Sequence, residues 1–250
     1  MSAALRAAGL CKRFGEFRAN DGVSLEIASG ARHALIGPNG AGKTTLVNLL
    51  TGVYAPSSGD VYLGSERITP LAQHQRVQRG LARTFQINQL FADLTPLETI
   101  ALAVSERLGS GRDGWRRLGT QPRLVDEAAE ILERFNLIDV MDEPTALLPY
   151  GKQRMLVIAT AIASEPRVLL LDEPAAGVPE EQRYAILDTV AALPSDVTVL
   201  LIEHDMDVVF KFAQRITVLV NGALFAEGTP QDIAADPRVR EVYLGEAAHG

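Results

Sequence analysis

Disulfides are excluded at once. The 250 residues include one cysteine, Cys11, so no internal bridge can form, and a reducing compartment is expected. Basic charge is also short: 24 Lys and Arg stand against 31 Asp and Glu, a formal charge of −7. That balance argues against broad nucleic-acid binding, and no nucleic-acid partner is expected. Long apolar runs are missing too. Leu156 to Ala163 falls far short of the ~20 residues that a membrane-spanning helix needs, and Val197 to Ile202 is shorter still. Met1-Ser2-Ala3-Ala4-Leu5-Arg6 lacks a basic stretch followed by an apolar one, so no secretory leader is expected. No internal repeat or low-complexity tract interrupts the chain. These absences together predict a cytoplasmic protein that meets a membrane only through a partner.

What is present is an ordinary globular balance, 47% hydrophobic and 22% charged. A chain of this length can bury about 70% of its open surface on folding, so neither disulfide nor structural metal is needed. Short apolar runs alternate with helical patterns, which predicts an α/β core. Ala31 to Gly37 reads as a strand and Lys43 to Thr51 as a helix that Gly52 stops. Val168 to Leu171 and Val197 to Ile202 have the composition of buried parallel strands. Asp205 to Ala213 reads as a helix. Ile216 to Val220 and Ala223 to Ala226, joined by Asn221-Gly222, read as a hairpin with a two-residue turn. From about Pro96 to Ser164 the signals are helical. Within that stretch Ser105 to Arg123, with Gly109, Gly111, Gly114, Gly119 and Pro122, predicts a mobile surface loop.

One segment carries specific chemistry. Gly37-Pro38-Asn39-Gly40-Ala41-Gly42-Lys43-Thr44-Thr45 fits the pattern G-x-x-x-x-G-K-[ST], which arises by chance in roughly one chain of this length in a hundred. Glycines let the backbone wrap a phosphate with its N–H groups pointing inward, and the following helix adds its positive end. Lys43 is placed for β- and γ-phosphates, and the Thr44 hydroxyl for Mg²⁺. A second segment, Arg167-Val-Leu-Leu-Leu-Asp172-Glu173-Pro174, is an apolar strand that ends in two acids. Ligands of open α/β sheets sit at the carboxyl ends of strands, which puts Asp172 near Mg²⁺ and lets Glu173 polarise a water. Val197 to Ile202 followed by Glu203-His204 repeats that geometry, and His204 can reach a γ-phosphate.

The order of Gly37 to Thr45, Arg83-Thr-Phe-Gln86, Leu148-Pro149-Tyr150-Gly151-Lys152, Leu171-Asp172-Glu173-Pro174 and Glu203-His204 resembles the ATP-binding subunits of ABC transporters, from about Leu5 to Leu244. The resemblance implies one P-loop NTPase domain over 1–250. Its parts are a RecA-like core, an N-terminal antiparallel β subdomain and a helical subdomain inserted at roughly 96–164. It implies ATP and Mg²⁺ as cofactors, with each ATP held between the phosphate loop of one copy and the signature segment of another. On this reading Phe14 stacks on adenine, and Gln86 senses Mg²⁺ and the attacking water. Glu173 is the catalytic base, and His204 contacts the γ-phosphate.

Two departures from the commonest family form narrow the resemblance. The signature Leu-Ser-Gly-Gly-Gln becomes Leu148-Pro149-Tyr150-Gly151-Lys152. The serine hydroxyl is thereby absent, while the Gly151 N–H and the helix end stay available to an anion. Proline suits a first helical position, and the direction of Lys152 is left open. After Pro174, the expected Ser-Ala-Leu-Asp becomes Ala176-Gly177-Val178-Pro179, without the usual aspartate. These segments, with Ile202-Glu-His-Asp-Met206 and Tyr243-Leu-Gly-Glu246, resemble branched-chain amino acid uptake cassettes, whose relatives serve urea, amides and carboxylic acids. Such importers pair two cassettes, alike or different, with integral-membrane permease subunits and a periplasmic binding protein. The cassettes lie on the inner face of the membrane. An export cassette of the lipopolysaccharide type shares the Tyr-Leu-Gly-Glu ending but keeps Ser-Gly-Gly in its signature. A soluble ATPase acting on DNA or ribosomes would bring a second cassette or a coiled-coil insertion. A small-molecule kinase would leave the signature and His204 unexplained.

Overall fold

The computed structural model describes residues 3–84, 90–109 and 122–247. Gln86, Gly111, Gly114 and Gly119 lie outside the described residues. The chain divides into two units. Met1–Leu81, Arg167–Glu173 and Leu193–Gly250 form the first, and Ala82–Pro166 with Pro174–Ala192 the second.

The first unit holds two sheets. Strands β1 (Ala3–Phe14), β2 (Phe17–Ala28), β4 (Ser58–Leu63) and β5 (Glu66–Arg67) form an antiparallel sheet in the order β2-β1-β4-β5. Val23, Leu25 and Ile27 point into the core while Ser24 and Glu26 face out, the period of two that a half-buried sheet requires. The second sheet is built on β3 (Arg32–Ile36), β7 (Val168–Asp172), β8 (Thr198–Ile202) and β9 (Arg215–Val220), all parallel, with β10 (Ala223–Gly228) antiparallel to β9. The order is β10-β9-β3-β8-β7, and β6 (Leu81–Arg83) is the edge strand. Apart from Asp172 at its end, β7 is buried throughout, as is β8, which accounts for their near-continuous apolar sequences. Helix α1 (Lys43–Thr51) packs Leu46, Val47, Leu49 and Leu50 into the core between the sheets. The short helix α2 (Gln73–Val77) carries Arg76, which is 1% exposed.

The hairpin of β9 and β10 turns at Asn221 and Gly222 with φ of 48° and 76°. Both angles are positive, as a type I′ turn demands. After β8, α7 (Met206–Phe212) is capped by Asp205, whose Oδ1 accepts from the N–H groups of Asp207 and Val208 at 3.1 and 3.3 Å. Helices α8 (Pro230–Ala235) and α9 (Pro237–Ala247) follow.

The second unit is helical: α3 (Pro96–Arg107), α4 (Pro122–Arg134), α5 (Tyr150–Ile162) and α6 (Glu180–Ala191). Ile100 and Val104 on α3, Leu124 and Leu132 on α4, and Leu156 and Ile158 on α5 are buried. Thr95 caps α3 and forms a reciprocal box with Glu98, at 3.2 and 2.9 Å. Both ends of the loop expected over 105–123 are helical, and residues 110–121 lie outside the described residues. Ser105 to Arg107 complete α3, where Arg107 pairs with Glu127 at 2.6 Å and with Glu165. Pro122 and Arg123 open α4, a position where proline's fixed φ is favourable. Among the described residues no helix is long and apolar enough to cross a membrane.

A buried histidine in the first unit gives stability a pH dependence. His33 on β3 is 1% exposed, with Nε2 2.8 Å from Thr217 Oγ1 on β9. Burial pulls its pKa down to about 4; the nearby Glu227 carboxylate opposes that shift and Arg215 adds to it. The unfolded imidazole titrates at about 6.5. Above that pH both states are neutral. Between pH 6.5 and about 4 only the unfolded chain takes up the proton, so stability falls as pH falls through that window. By pH 4.5 the loss from this group is on the order of 2–3 kcal/mol. Denaturant titrations at pH 7.5 and 4.5 should show a smaller loss for His33→Gln than for the wild type. Equal losses would remove His33 as a cause.

Candidate functional site

The parallel register brings three strand ends to one edge of the second sheet. Leu35 of β3 and Asp172 of β7 both stand beside Ile202 of β8. The residues that follow these strands therefore meet there: Gly37 after β3, Glu173 after β7, Glu203 and His204 after β8. This is the carboxyl edge at which open α/β sheets bind ligands.

The loop after β3 is held in shape from below. Gly37 has φ 153° and Gly42 φ 95°. A Cβ on Gly37 would come within 2.1 Å of the Leu219 carbonyl oxygen, and one on Gly42 within 2.4 Å of the Ala19 oxygen, so no other residue fits either place. Asn20 Nδ2 donates to the Gly42 carbonyl at 3.3 Å, and the Gly222 N–H donates to the Ala41 carbonyl at 3.0 Å. Ala41 is buried, and Pro38, Lys43 and Thr45 are half-buried. Asn39, Gly40 and the Thr44 side chain face solvent. Lys43 Nζ folds over the loop and donates to the carbonyls of Gly37 and Pro38 at 2.5 and 2.9 Å. Its ammonium thus lies over the loop at the start of α1, where a helix end favours an anion.

Across the edge, Asp172 and Glu173 are half-buried. Glu173 has φ 47°, a left-handed conformation sparsely used by non-glycine residues. Its N–H donates to the Ile202 carbonyl at 2.9 Å, which pins the kink to β8. The result aims its carboxylate at the end of β8, where Oε1 lies 3.3 Å from His204 Nδ1. Glu203 is buried, and its Oε2 accepts from the His204 N–H at 3.3 Å. Paired acid and imidazole, two hard oxygen donors in Thr44 and Asp172, and an anion cradle bearing one ammonium make a set suited to a Mg²⁺-bound polyphosphate.

Phe14, at the end of β1, is 46% exposed. Its ring meets Tyr54 edge to face, with centroids 5.6 Å apart and planes at 79°. Lys12 Nζ lies 5.1 Å from the Phe14 centroid and 5.5 Å from that of Tyr54, and it donates to the Ala55 carbonyl at 2.8 Å. Sequence reasoning singled out Phe14 but missed Tyr54, Lys12 and Asn20. The only local signal for Asn20 is a polar residue buried directly after buried Ala19, against the alternation of β2.

The remaining predicted residues lie in the second unit. Leu148 is buried. Pro149 is the N-cap of α5, one place before the first helical position predicted for it, with φ −53° and ψ 145°. The extended ψ ends the incoming loop, and Tyr150 becomes the first helical residue. Gly151 follows in the first turn, where N–H groups have no partner within the helix. Lys152 turns to the side: Nζ donates to Asp139 Oδ1 and Oδ2 at 2.8 and 3.2 Å and to the Asn136 carbonyl. That ammonium holds the Asp139 carboxyl below its ordinary range.

Comparisons with known proteins find relatives over nearly the whole chain. The family model described as ABC transporter matches residues 20–176, and that described as branched-chain amino acid ATP-binding cassette transporter matches 223–249. The chain is 39% identical to the high-affinity branched-chain amino acid transport ATP-binding protein BraF of Pseudomonas aeruginosa, covering 97% of this chain and 98% of the relative. It is also 39% identical to LivG of Escherichia coli, a protein of the same description, over 96% of both chains. Among solved structures it resembles the ADP conformation of an ATP-binding cassette of an ABC transporter, with TM-score 0.87, 32% identity, and 98% and 99% of the two chains covered. A nucleotide-free cassette gives TM-score 0.85, 32% identity, and 97% and 99% coverage.

Proposed function

The chain belongs to the ATP-binding cassette family of ABC transporters, in its branched-chain amino acid group, and from this we propose that it drives uptake of branched-chain amino acids or similar small solutes. It is an ATPase that uses ATP with Mg²⁺. The observation that carries the reading is the junction of three strand ends at one sheet edge, with Glu173 Oε1 3.3 Å from His204 Nδ1.

We propose the following roles. The loop Gly37 to Thr45 wraps the phosphates, and Lys43 exchanges its loop carbonyls for β- and γ-phosphate oxygens. Thr44 and Asp172 would hold Mg²⁺, which would draw charge from the phosphates. Glu173 accepts the proton of the attacking water, and His204 holds that carboxylate and meets the γ-phosphate. Phe14 offers its exposed face to adenine. Gln86 is assigned to Mg²⁺ and water by family resemblance alone. Leu148 to Lys152 is the segment that meets ATP bound to a second cassette, through the Gly151 N–H and the end of α5. Pro149 supplies no hydroxyl, and Lys152 supports α5 through Asp139. The partners are a second cassette, alike or different, and integral-membrane permease subunits that place the chain on the inner membrane face. A periplasmic binding protein delivers the solute.

Glu173→Gln tests this assignment, since it keeps size and polarity but removes the base. Hydrolysis should fall by about 10²–10⁴ while ATP still binds. ATP adds affinity for the closed pair, so the variant should elute as a dimer in ATP with Mg²⁺ and as a monomer without nucleotide. Wild-type phosphate release from Glu173→Gln would refute Glu173 as the base.

A further inference from the structure

The first turn of α5 is tied to the loop at 175–177 by a closed set of hydrogen bonds. Tyr150 Oη donates to the Ala176 carbonyl at 3.1 Å. Arg154, one turn further along the same face of α5, donates through Nη2 to that carbonyl at 3.1 Å and to Tyr150 Oη at 3.0 Å. Its guanidinium carbon lies 5.3 Å from the Tyr150 ring centroid. The phenol therefore donates once and accepts once, and one carbonyl takes two donors, one of them charged. The loop leaves room for this arrangement. Gly177 has φ +74°, and a Cβ there would stand 3.0 Å from Tyr150 Oη.

The pieces joined in this way have different duties. Tyr150 stands in the signature where the commonest form has glycine. The 175–177 loop follows Glu173 after a single residue, Pro174, whose ring fixes φ. The aspartate usual just after that loop is replaced by Pro179. We propose that Tyr150 and Arg154 are positioning residues that make the signature turn and the 175–177 loop respond as one piece, and so relay closure on the partner's ATP to the chain's own Glu173. This rests on the reading of α5 as the turn that meets ATP on the second cassette. A side-chain clamp takes the place of the missing aspartate, with the Ala176 carbonyl as its anchor.

The test uses the purified full-length chain. Tyr150→Phe keeps the ring and removes both hydrogen bonds of the hydroxyl. Turnover at saturating ATP should fall about tenfold, the scale of one lost bond to a charged group, and the Hill coefficient for ATP should move toward one. The Kd for a fluorescent ATP analogue, measured on dilute monomer, should stay within about twofold, as should be true of a variant that spares the phosphate loop. Arg154→Lys should keep part of the turnover that Arg154→Met loses. The loss from Gly177→Ala should be smaller in the Tyr150→Phe background, because the new Cβ then has no hydroxyl to meet. Wild-type turnover and Hill coefficient in Tyr150→Phe would overturn the proposal. So would a fall in turnover matched by lost monomer binding and a lower Tm, the signature of a structural defect alone. Gly151→Asp separates the underlying reading: if it hydrolyses ATP at the wild-type rate, α5 does not meet ATP, whatever Tyr150 does.

Discussion

Replacing Lys43 with alanine should bring ATP turnover down by at least about two orders of magnitude while the fold persists. The ammonium is the one charged group that the phosphate loop itself supplies, and it lies against the Gly37 and Pro38 carbonyls at the start of α1. A single donor aimed at charge that develops in the transition state is worth about 10²–10³ in turnover. The side chain is half-buried. The loop keeps its bonds from Asn20 and Gly222. Melting should therefore shift little, and less than turnover by far. Lys43→Met, which keeps the length of the side chain, should be as inactive as the alanine variant because charge rather than bulk is what the phosphates meet. Phosphate release at saturating ATP, paired with thermal melts of both variants, decides the point. Unchanged turnover in either variant sinks the assignment of this loop.

How much of this was legible in the sequence differs from element to element. Helix α1 was read to the residue because glycines flank it on both sides and both have positive φ. Strands β3, β7 and β8 were legible because strands buried on both faces are unbroken apolar runs. Strands β1 and β2 did not show in the residue pattern, and only the family resemblance implied them. Their pairing slips between Ala7 and Leu10, between Leu10 and Lys12, and between Lys12 and Arg13, and each slip breaks the alternation that marks a half-buried strand. The site was legible where chemistry is local, in the phosphate loop and in Asp172-Glu173. It was not legible where distant segments meet. Tyr54 reaches Phe14 through the fold, Lys152 takes its direction from a turn at 136–139, and Tyr150 finds its partner at Ala176. No spacing rule encodes such contacts, which are set by packing rather than by sequence neighbours.

Arg76→Met should destabilise the protein by about 3 kcal/mol, on the order of 10 °C in Tm for a chain of this size. The wild-type guanidinium is buried, and among the described residues no carboxylate is bonded to it. It donates instead to four carbonyls: Leu49 and Leu50 in the last turn of α1 at 2.8 and 2.6 Å, Thr69 at 3.0 Å and Leu71 at 3.0 Å. Burial pulls its pKa below the ordinary arginine range, and guanidinium nevertheless stays charged. A cation at a helix C-terminus also meets the negative end of the dipole. Methionine fills most of the volume and removes the desolvation penalty of the charge, which limits the loss. It leaves buried carbonyls short of donors, at about 1–3 kcal/mol each. The Gly52 N–H still serves Leu49, so not every acceptor is orphaned. Lysine at this position should be intermediate, since one ammonium cannot span carbonyls on α1 and on the 69–71 segment together. ATP separates two consequences of this change. A ligand at about 100 times its Kd adds about 2.7 kcal/mol to any chain whose site is intact. If Arg76 only supports the core, ATP will raise the Tm of wild type and variant alike. If the anchor at the end of α1 also holds Lys43 and Thr44 at its start in place, the gap between the two will widen as ATP is added. A variant that melts within about 2 °C of wild type without nucleotide, on the scale above, would show that the buried guanidinium does not brace α1.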